Sequence, residues 1–234
     1  NAINDFVAKH GGHCNAWTAT EHSNFFFDIS HDSFSIALDY FSSLFIDPLF
    51  EDSAIKREQE AIHAEFKLKL RDDTRRIQQV HKETCNPKHP FSKFSVGNRQ
   101  TLSDLPQRPV KEELIEFWST HYQAQYMTVC IVSNDMSHFD LSKRVFSQIN
   151  SNNPLQNKPA ISVPLYREED LANFICIRPV KELHKLNITF ALPSINQIYQ
   201  NKVVSFIAHL VGHEGQGSLS HSLKSQGLIH ALSA

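Results

Sequence analysis

Within residues 14–46, which read CNAWTATEHSNFFFDISHDSFSIALDYFSSLFI, the pattern of apolar residues changes from one typical of strands to one typical of a helix. The first part is typical of two short strands, residues 14–20 and 22–30, joined by a short polar turn. From Asp32 the apolar residues recur at helical spacing, and they stop before Pro48. The stretch therefore predicts a β-hairpin followed by a helix that buries one face in a core.

Helices are predicted on both sides of this stretch. Before it, Ile3, Phe6 and Val7 recur at helical spacing, and a glycine exit follows at residues 11–12. After it, we expect a charge-rich helix from about residue 52 to about residue 84, because no glycine or proline interrupts that segment. Further strands are predicted at residues 127–132, 174–180 and 186–192, and further helices at residues 110–121, 139–149 and 203–211.

The composition, 41% hydrophobic and 21% charged, is typical of a soluble globular protein. With 23 basic and 25 acidic residues the net charge is −2, so we expect neither a nucleic-acid partner nor attraction to an anionic membrane. The four cysteines form no CxxC pair and predict neither a disulfide framework nor a thiolate zinc site. No apolar run is long enough for a membrane span. We expect a cytoplasmic location, with a periplasmic one as the alternative.

A domain boundary is predicted near Lys158. The segment from Asn150 to Pro159 is polar, contains two prolines and lacks apolar periodicity, which is typical of a linker. At about 150 residues per domain, the chain has room for roughly 1.6 domains. We therefore expect residues 1–158 to form a first domain that lacks its N-terminal part, and residues 159–234 to begin a second.

Two carboxylates lie in the apolar stripe of the predicted long helix. At about 100° per residue, Glu58 and Glu65 project to the same side as the apolar residues Ile55, Ile62 and Phe66. Ionised carboxylates are costly in such a stripe unless a cation or a metal faces them. Either the two acids reach an arginine or water at the edge of the stripe, or one is a metal ligand and the other supports it.

A zinc site needs histidine or cysteine ligands in addition. His209 and His213 are spaced like a metal-binding pair, but they lack the internal glutamate of HExxH or HxxEH, and glycines follow. We therefore expect no metal there. Glu60 and His63 project away from the stripe and are expected at the surface. The sequence contains no GxSxG elbow, P-loop or GxGxxG motif.

A series of motifs runs through the chain in a fixed order. They are His10-Gly11-Gly12, Asn15-Ala16 with Thr18, Phe25-Phe26-Phe27-Asp28, Ala37-Leu38-Asp39, Pro48-Leu49-Phe50, Arg57-Glu58, Glu65, Asn86-Pro87, His89-Pro90-Phe91-Ser92-Lys93-Phe94, Gly97-Asn98, Thr101-Leu102 and Gly212-His213-Glu214-Gly215. In this order they resemble the M16 (inverzincin) metallopeptidases of the insulysin and pitrilysin type. The resemblance covers essentially all 234 residues.

The resemblance implies a zinc site. In that family both histidines of an HxxEH motif and a later glutamate hold Zn²⁺; Glu65 matches that glutamate, and Glu58 matches a supporting acid. The HxxEH motif, which includes the general base, is absent from this sequence and by resemblance would lie just upstream of Asn1. We therefore expect a fragment that alone neither binds zinc tightly nor cleaves peptides.

The resemblance also implies an α+β fold of tandem M16-type domains, each a mixed β-sheet with helices packed on one face. Asn15 and Ala16 resemble the edge strand that binds an extended peptide by main-chain hydrogen bonds; an ordinary hairpin strand is the alternative.

The implied activity is zinc-dependent hydrolysis of peptides and small unfolded polypeptides. The implied partners are peptide substrates and the remaining domains of the same chain. The alternative is a catalytically inert relative that serves as a structural or substrate-binding subunit.

Overall fold

The computed structural model describes residues 2–151, 161–193 and 195–234. Its helices and strands are α1 (Ala2–Lys9), β1 (His13–Thr18), β2 (Ser23–Asp28), α2 (Phe34–Ile46), α3 (Asp52–Lys69), α4 (Asp73–Glu83), α5 (Val110–His121), α6 (Met136–Phe146), α7 (Val203–Val211) and α8 (Leu219–Ser225). Short 3₁₀ turns lie at His31–Ser33, Pro90–Ser92, Ala124–Tyr126, Glu168–Asp170 and Asn196–Asn201. Helices and a small antiparallel sheet thus make up an α+β chain.

The chain forms two compact units, Asn1–Leu183 and His184–Ala234. The boundary predicted near Lys158 falls among residues 152–160, which lie outside the described residues, so it stays a prediction. The smaller unit contains α7 and α8. Among the described residues, every helix is too short or too polar to span a lipid bilayer.

The predicted β-hairpin is confirmed. β1 and β2 pair antiparallel, with Cys14 opposite Phe27 and Ala16 opposite Phe25. Alternate residues of a strand face opposite sides, so Phe25 and Phe27 pack against the core while Phe26 between them remains exposed. The hairpin therefore covers a core with one face only.

The core lies between the hairpin and the helices α1, α2 and α6. Its buried members are Ile3, Val7, Ala37, Phe41, Phe45 and Ile149. The first five come from the apolar faces predicted for α1 and α2, which confirms both faces, and Ile149 follows the end of α6. Phe45 meets Phe25 edge to face at a ring separation of 5.2 Å, and this contact joins α2 to the hairpin.

The connection from α1 to β1 requires glycine. Gly11 has φ of 74°, the left-handed conformation that commonly ends a helix. A Cβ on Gly12 would lie 2.0 Å from the backbone oxygen of Asp28 at the end of β2. The predicted glycine exit is confirmed, and Gly12 also allows the chain to pass close to β2.

The single long helix predicted for residues 52–84 is wrong, because two helices occupy this segment. α3 ends at Lys69, and α4 begins at Asp73. The Asp72 carboxylate accepts a hydrogen bond from the Arg75 backbone N–H at 3.0 Å, which caps the start of α4. The helix is interrupted by this N-cap, without any glycine or proline.

The strands predicted at residues 127–132, 174–180 and 186–192 do not form as paired strands in the part of the chain that the structure describes. Val132 is 97% exposed, so its side chain packs on no neighbouring layer. Strand-like composition favours a pleated, half-buried surface, but a strand also needs a neighbour for its backbone groups.

Candidate functional site

Glu58 and Glu65 lie on α3, about two turns apart and on the same side. Both side chains are exposed, and that of Glu65 is 53% accessible. The Glu65 carboxylate contacts the ammonium of Lys69 one turn further along. A cation therefore does face one of the two acids, and it comes from the same helix.

The apolar stripe of α3 is only half-buried. Ile55, Ile62 and Phe66 are all partly accessible, and no residue of this fully described helix is buried. Phe66 meets Phe94 edge to face at 5.9 Å, and the Gln59 side-chain amide donates to the backbone oxygen of Leu102. α3 is thus held along one side by the segment 94–102, which leaves its two acids accessible.

Glu60 lies on the solvent side of α3, as predicted. Its carboxylate accepts a hydrogen bond of 2.5 Å from the Arg99 guanidinium. That hydrogen bond, reinforced by the positive charges around it, lowers the pKa of the Glu60 carboxyl. His63 is half-buried, and its Nδ1 accepts from the Arg99 backbone N–H at 3.3 Å. Arg99 therefore ties this side of α3 to the segment 94–102.

Asn15 and Ala16 lie in β1, and their side chains are exposed. The Asn15 side-chain oxygen accepts a hydrogen bond of 2.8 Å from the Ala16 backbone N–H. In the described residues β1 pairs with β2 alone, so its other edge is open to a further strand. The Asn15 side chain thus occupies the backbone N–H of Ala16, in the strand that is predicted to bind peptide.

His209 and His213 do not lie on one helix. α7 ends at Val211, so His213 lies beyond the helix. Its Nδ1 accepts a hydrogen bond of 3.0 Å from the Gly215 backbone N–H, and no third ligand joins the pair among the described side chains. The expected end of the helix at the glycines is confirmed.

Two family models match this chain. Insulinase (Peptidase family M16) matches residues 1–89, which include the hairpin and α3. Peptidase M16 inactive domain matches residues 110–234, more than half of the sequence. The chain belongs to peptidase family M16. In this M16 chain the two carboxylates of α3 thus lie in the insulinase match, and the pair His209 and His213 lies in the inactive domain.

Individual relatives agree with the family. The A-factor-processing enzyme of Saccharomyces cerevisiae is 37% identical over 239 residues, which cover 100% of the M16 chain and 23% of that enzyme. The insulin-degrading enzyme of Bos taurus is 38% identical over 239 residues, which cover 99% of the M16 chain and 23% of that enzyme. The crystal structure of pitrilysin superposes with a TM-score of 0.81 and 28% identity, covering 100% of this chain and 25% of pitrilysin.

The expected resemblance to the insulysin and pitrilysin type is confirmed by these matches. The M16 chain spans about a quarter of the length of the relatives that it matches. Two further relatives, from Schizosaccharomyces pombe and Caenorhabditis elegans, carry zinc protease in their names; each is 34% identical to this chain.

Proposed function

We propose that this M16 chain is part of a zinc metalloendopeptidase that hydrolyses peptide bonds in peptides and small unfolded polypeptides. The observation that carries the proposal is the pair Glu58 and Glu65, exposed on one side of α3 within the insulinase match. In the proposal Glu65 is the zinc-ligating carboxylate and Glu58 the supporting acid.

The donor chemistry of Glu65 fits zinc. Its carboxylate is accessible, and within the described residues its one ionic partner is the side chain of Lys69. Zinc in peptidases takes carboxylate oxygen together with histidine nitrogen. We propose that the two histidines, and the glutamate that acts as general base, belong to an HxxEH motif of the longer protein.

Zinc, when bound, would supply a water of lowered pKa and polarise the scissile carbonyl group. Glu65 would contribute one anionic oxygen, and Glu58, on the same side of α3, would orient the ligating groups and offset part of the positive charge of the metal. The open edge of β1 at Asn15 and Ala16 would align an extended peptide through main-chain hydrogen bonds. The remaining domains of the same protein are the proposed partners that complete the site.

A second candidate function is that of a catalytically inert M16 relative, acting as a structural or substrate-binding subunit. The observation behind it is the match of residues 110–234 to the inactive domain of the family, a segment over which relatives named as enzymes also align. The two carboxylates on α3 favour the peptidase instead, because they stand at the positions that match the zinc-ligating glutamate and the supporting acid of the family.

The two functions are separated by an activity assay on the intact protein that contains this chain. We expect cleavage of an internally quenched peptide, loss of cleavage on chelation and recovery on addition of Zn²⁺. Glu65→Gln should abolish cleavage, whereas Glu60→Gln, a matched change on the opposite side of α3, should retain it. Zinc-loaded protein that cleaves no peptide would overturn the proposal in favour of the inert subunit.

A further inference from the structure

A second group of possible metal ligands lies away from α3, at the junction of α2 and α6. Oδ2 of Asp135 lies 3.7 Å from Nε2 of His31 and 4.0 Å from Nε2 of His138. One ligand atom from each of the three residues lies within 4.8 Å of the other two. Two imidazoles and one carboxylate thus converge from segments that are far apart in the sequence.

The fold explains why these three residues meet. His31 lies in the 3₁₀ turn that leads into α2, and Asp135 is the N-cap of α6. His138 is three residues after Asp135, so both project to the same side of the first turn. α2 and α6 pack against each other, which brings the two helix starts together.

Asp135 divides its two oxygens between two tasks. Oδ1 accepts a hydrogen bond of 2.8 Å from the Ser137 backbone N–H and so caps α6. Oδ2 is directed towards the two imidazoles. The cap fixes the orientation of the carboxylate, and an oxygen is left available as a ligand.

His138 is oriented as a metal-ligating histidine needs to be. The residue is only 7% exposed, and its ring stacks on that of Phe34 at 4.2 Å. Nδ1 lies 2.9 Å from Oγ of Ser133, and the same Oγ accepts the Asp135 backbone N–H at 3.1 Å. When Nδ1 donates its proton to Ser133, Nε2 presents its lone pair to Asp135, the arrangement that ligating histidines adopt.

The separations within the group suit an ion between the ligands. At 3.7 and 4.0 Å, Asp135 is too far from either imidazole for a direct hydrogen bond. Tetrahedral zinc with bonds of about 2.0–2.2 Å places its ligand atoms roughly 3.4 Å apart. Contractions of about 0.3 and 0.6 Å at Asp135, and of at most about 1.4 Å between the two imidazoles, would give that geometry. The exposed side chain of His31 leaves a path to solvent and room for a water as fourth ligand.

We propose that His31, Asp135 and His138 bind a divalent transition-metal ion of the zinc type, at a site separate from the one at Glu65. Imidazole and carboxylate are ligands that Zn²⁺ accepts readily. The site would fasten the turn before α2 to the start of α6 and so close a long loop of the chain. Its role is structural, because binding to the folded state alone stabilises that state.

The test uses the intact protein with Glu65→Gln as background, so that zinc at α3 does not contribute. The metal-free protein is titrated with Zn²⁺ by calorimetry, and then with Co²⁺, whose visible absorption reports tetrahedral ligands. Adding His31→Asn or Asp135→Asn should weaken this binding by more than about tenfold, since even the loss of supporting groups costs roughly 10- to 100-fold. Asn at position 135 still caps α6.

His221→Asn is the matched control, since His221 is an exposed histidine on α8, and it should leave binding unchanged. Ser133→Ala keeps all three ligands and should weaken binding by about tenfold. Circular dichroism of the metal-free variants confirms that they fold. The proposal is overturned if the background protein shows no tetrahedral Co²⁺ absorption, or if His31→Asn and His221→Asn bind Zn²⁺ equally.

Discussion

The carboxylate of Glu65 is paired with the ammonium of Lys69, one turn further along α3. An exposed pair at this spacing stabilises a helix by only about 0.3–0.5 kcal/mol. Structural zinc sites, by contrast, bind with roughly 10–16 kcal/mol. Lys69 can therefore hold the carboxylate in place without competing seriously with a metal.

We accordingly expect Lys69→Gln to leave zinc content unchanged and to alter peptide cleavage by less than about threefold, because the pair that it removes is weak. The measurements are elemental analysis and kcat/KM of the intact protein. If Lys69→Gln lost zinc or most of its activity, Lys69 would belong to the site itself.

Binding of an extended peptide along β1 predicts a period of two in the substrate. Main-chain N–H groups of a strand alternate between its two edges. Methylation of the backbone nitrogens of the substrate peptide should therefore raise KM at every second position and have little effect at the positions between. The measurement is KM for a series of singly methylated peptides. Equal effects at adjacent positions would argue against binding by strand addition.

The contacts of the Asp73 carboxylate make the local stability around it dependent on pH. The carboxylate accepts backbone N–H groups from Lys181 at 3.0 Å and Val180 at 2.9 Å, and a guanidinium N–H from Arg76 at 3.0 Å. These contacts, led by the Lys181 hydrogen bond, lower the pKa of Asp73. A lowered pKa in the folded state contributes stability above the ordinary value of about 3.9, and this is lost as the pH falls through the lowered value.

We therefore expect the amides of Val180 and Lys181 to lose hydrogen-exchange protection, corrected for intrinsic rates, as the pH falls from about 4 through the lowered pKa of Asp73. Asp73→Asn should show reduced protection already at pH 7, without the acid step. Asp52→Asn, which alters an acid paired with Lys111 instead, serves as control. An acid step that persists in Asp73→Asn would assign the effect to another group.

Gly12 predicts a steric cost. Gly12→Ala places a Cβ against the backbone of Asp28, and overpacking of this kind costs about 1–3 kcal/mol or more. Gly11→Ala meets no atom within 4 Å but has φ of 74°, for which about 1–2 kcal/mol is expected. Urea unfolding should rank Gly12→Ala as the less stable variant. The opposite order would mean that β2 moves away easily.

Local patterns carried most of the correct sequence predictions. The hairpin and the apolar faces of α1 and α2 follow from periods that lie within a few residues, and those periods match the buried side chains. The break at Asp72 does not follow from a rule that counts only glycine and proline as helix interruptions. An aspartate pair is itself a signal for a new helix start.

Features that depend on residues far apart in the chain could not be predicted from local sequence patterns. The segment 127–132 has the composition of a strand, but pairing depends on a neighbour that composition does not specify. Likewise, the sequence does not predict that His31 and His138 lie close together. Spacing rules detect ligands within one helix or turn, whereas here the packing of α2 on α6 brings the two histidines together.

The central claim is that Glu65 binds zinc in the intact M16 protein, and the zinc content of two matched variants tests it most directly. Elemental analysis should find one zinc ion fewer per molecule in Glu65→Gln than in the unmodified protein. In Glu60→Gln, whose side chain lies on the solvent side of α3 and pairs with Arg99, the zinc content should be unchanged. Equal zinc in both variants would contradict the assignment of Glu65.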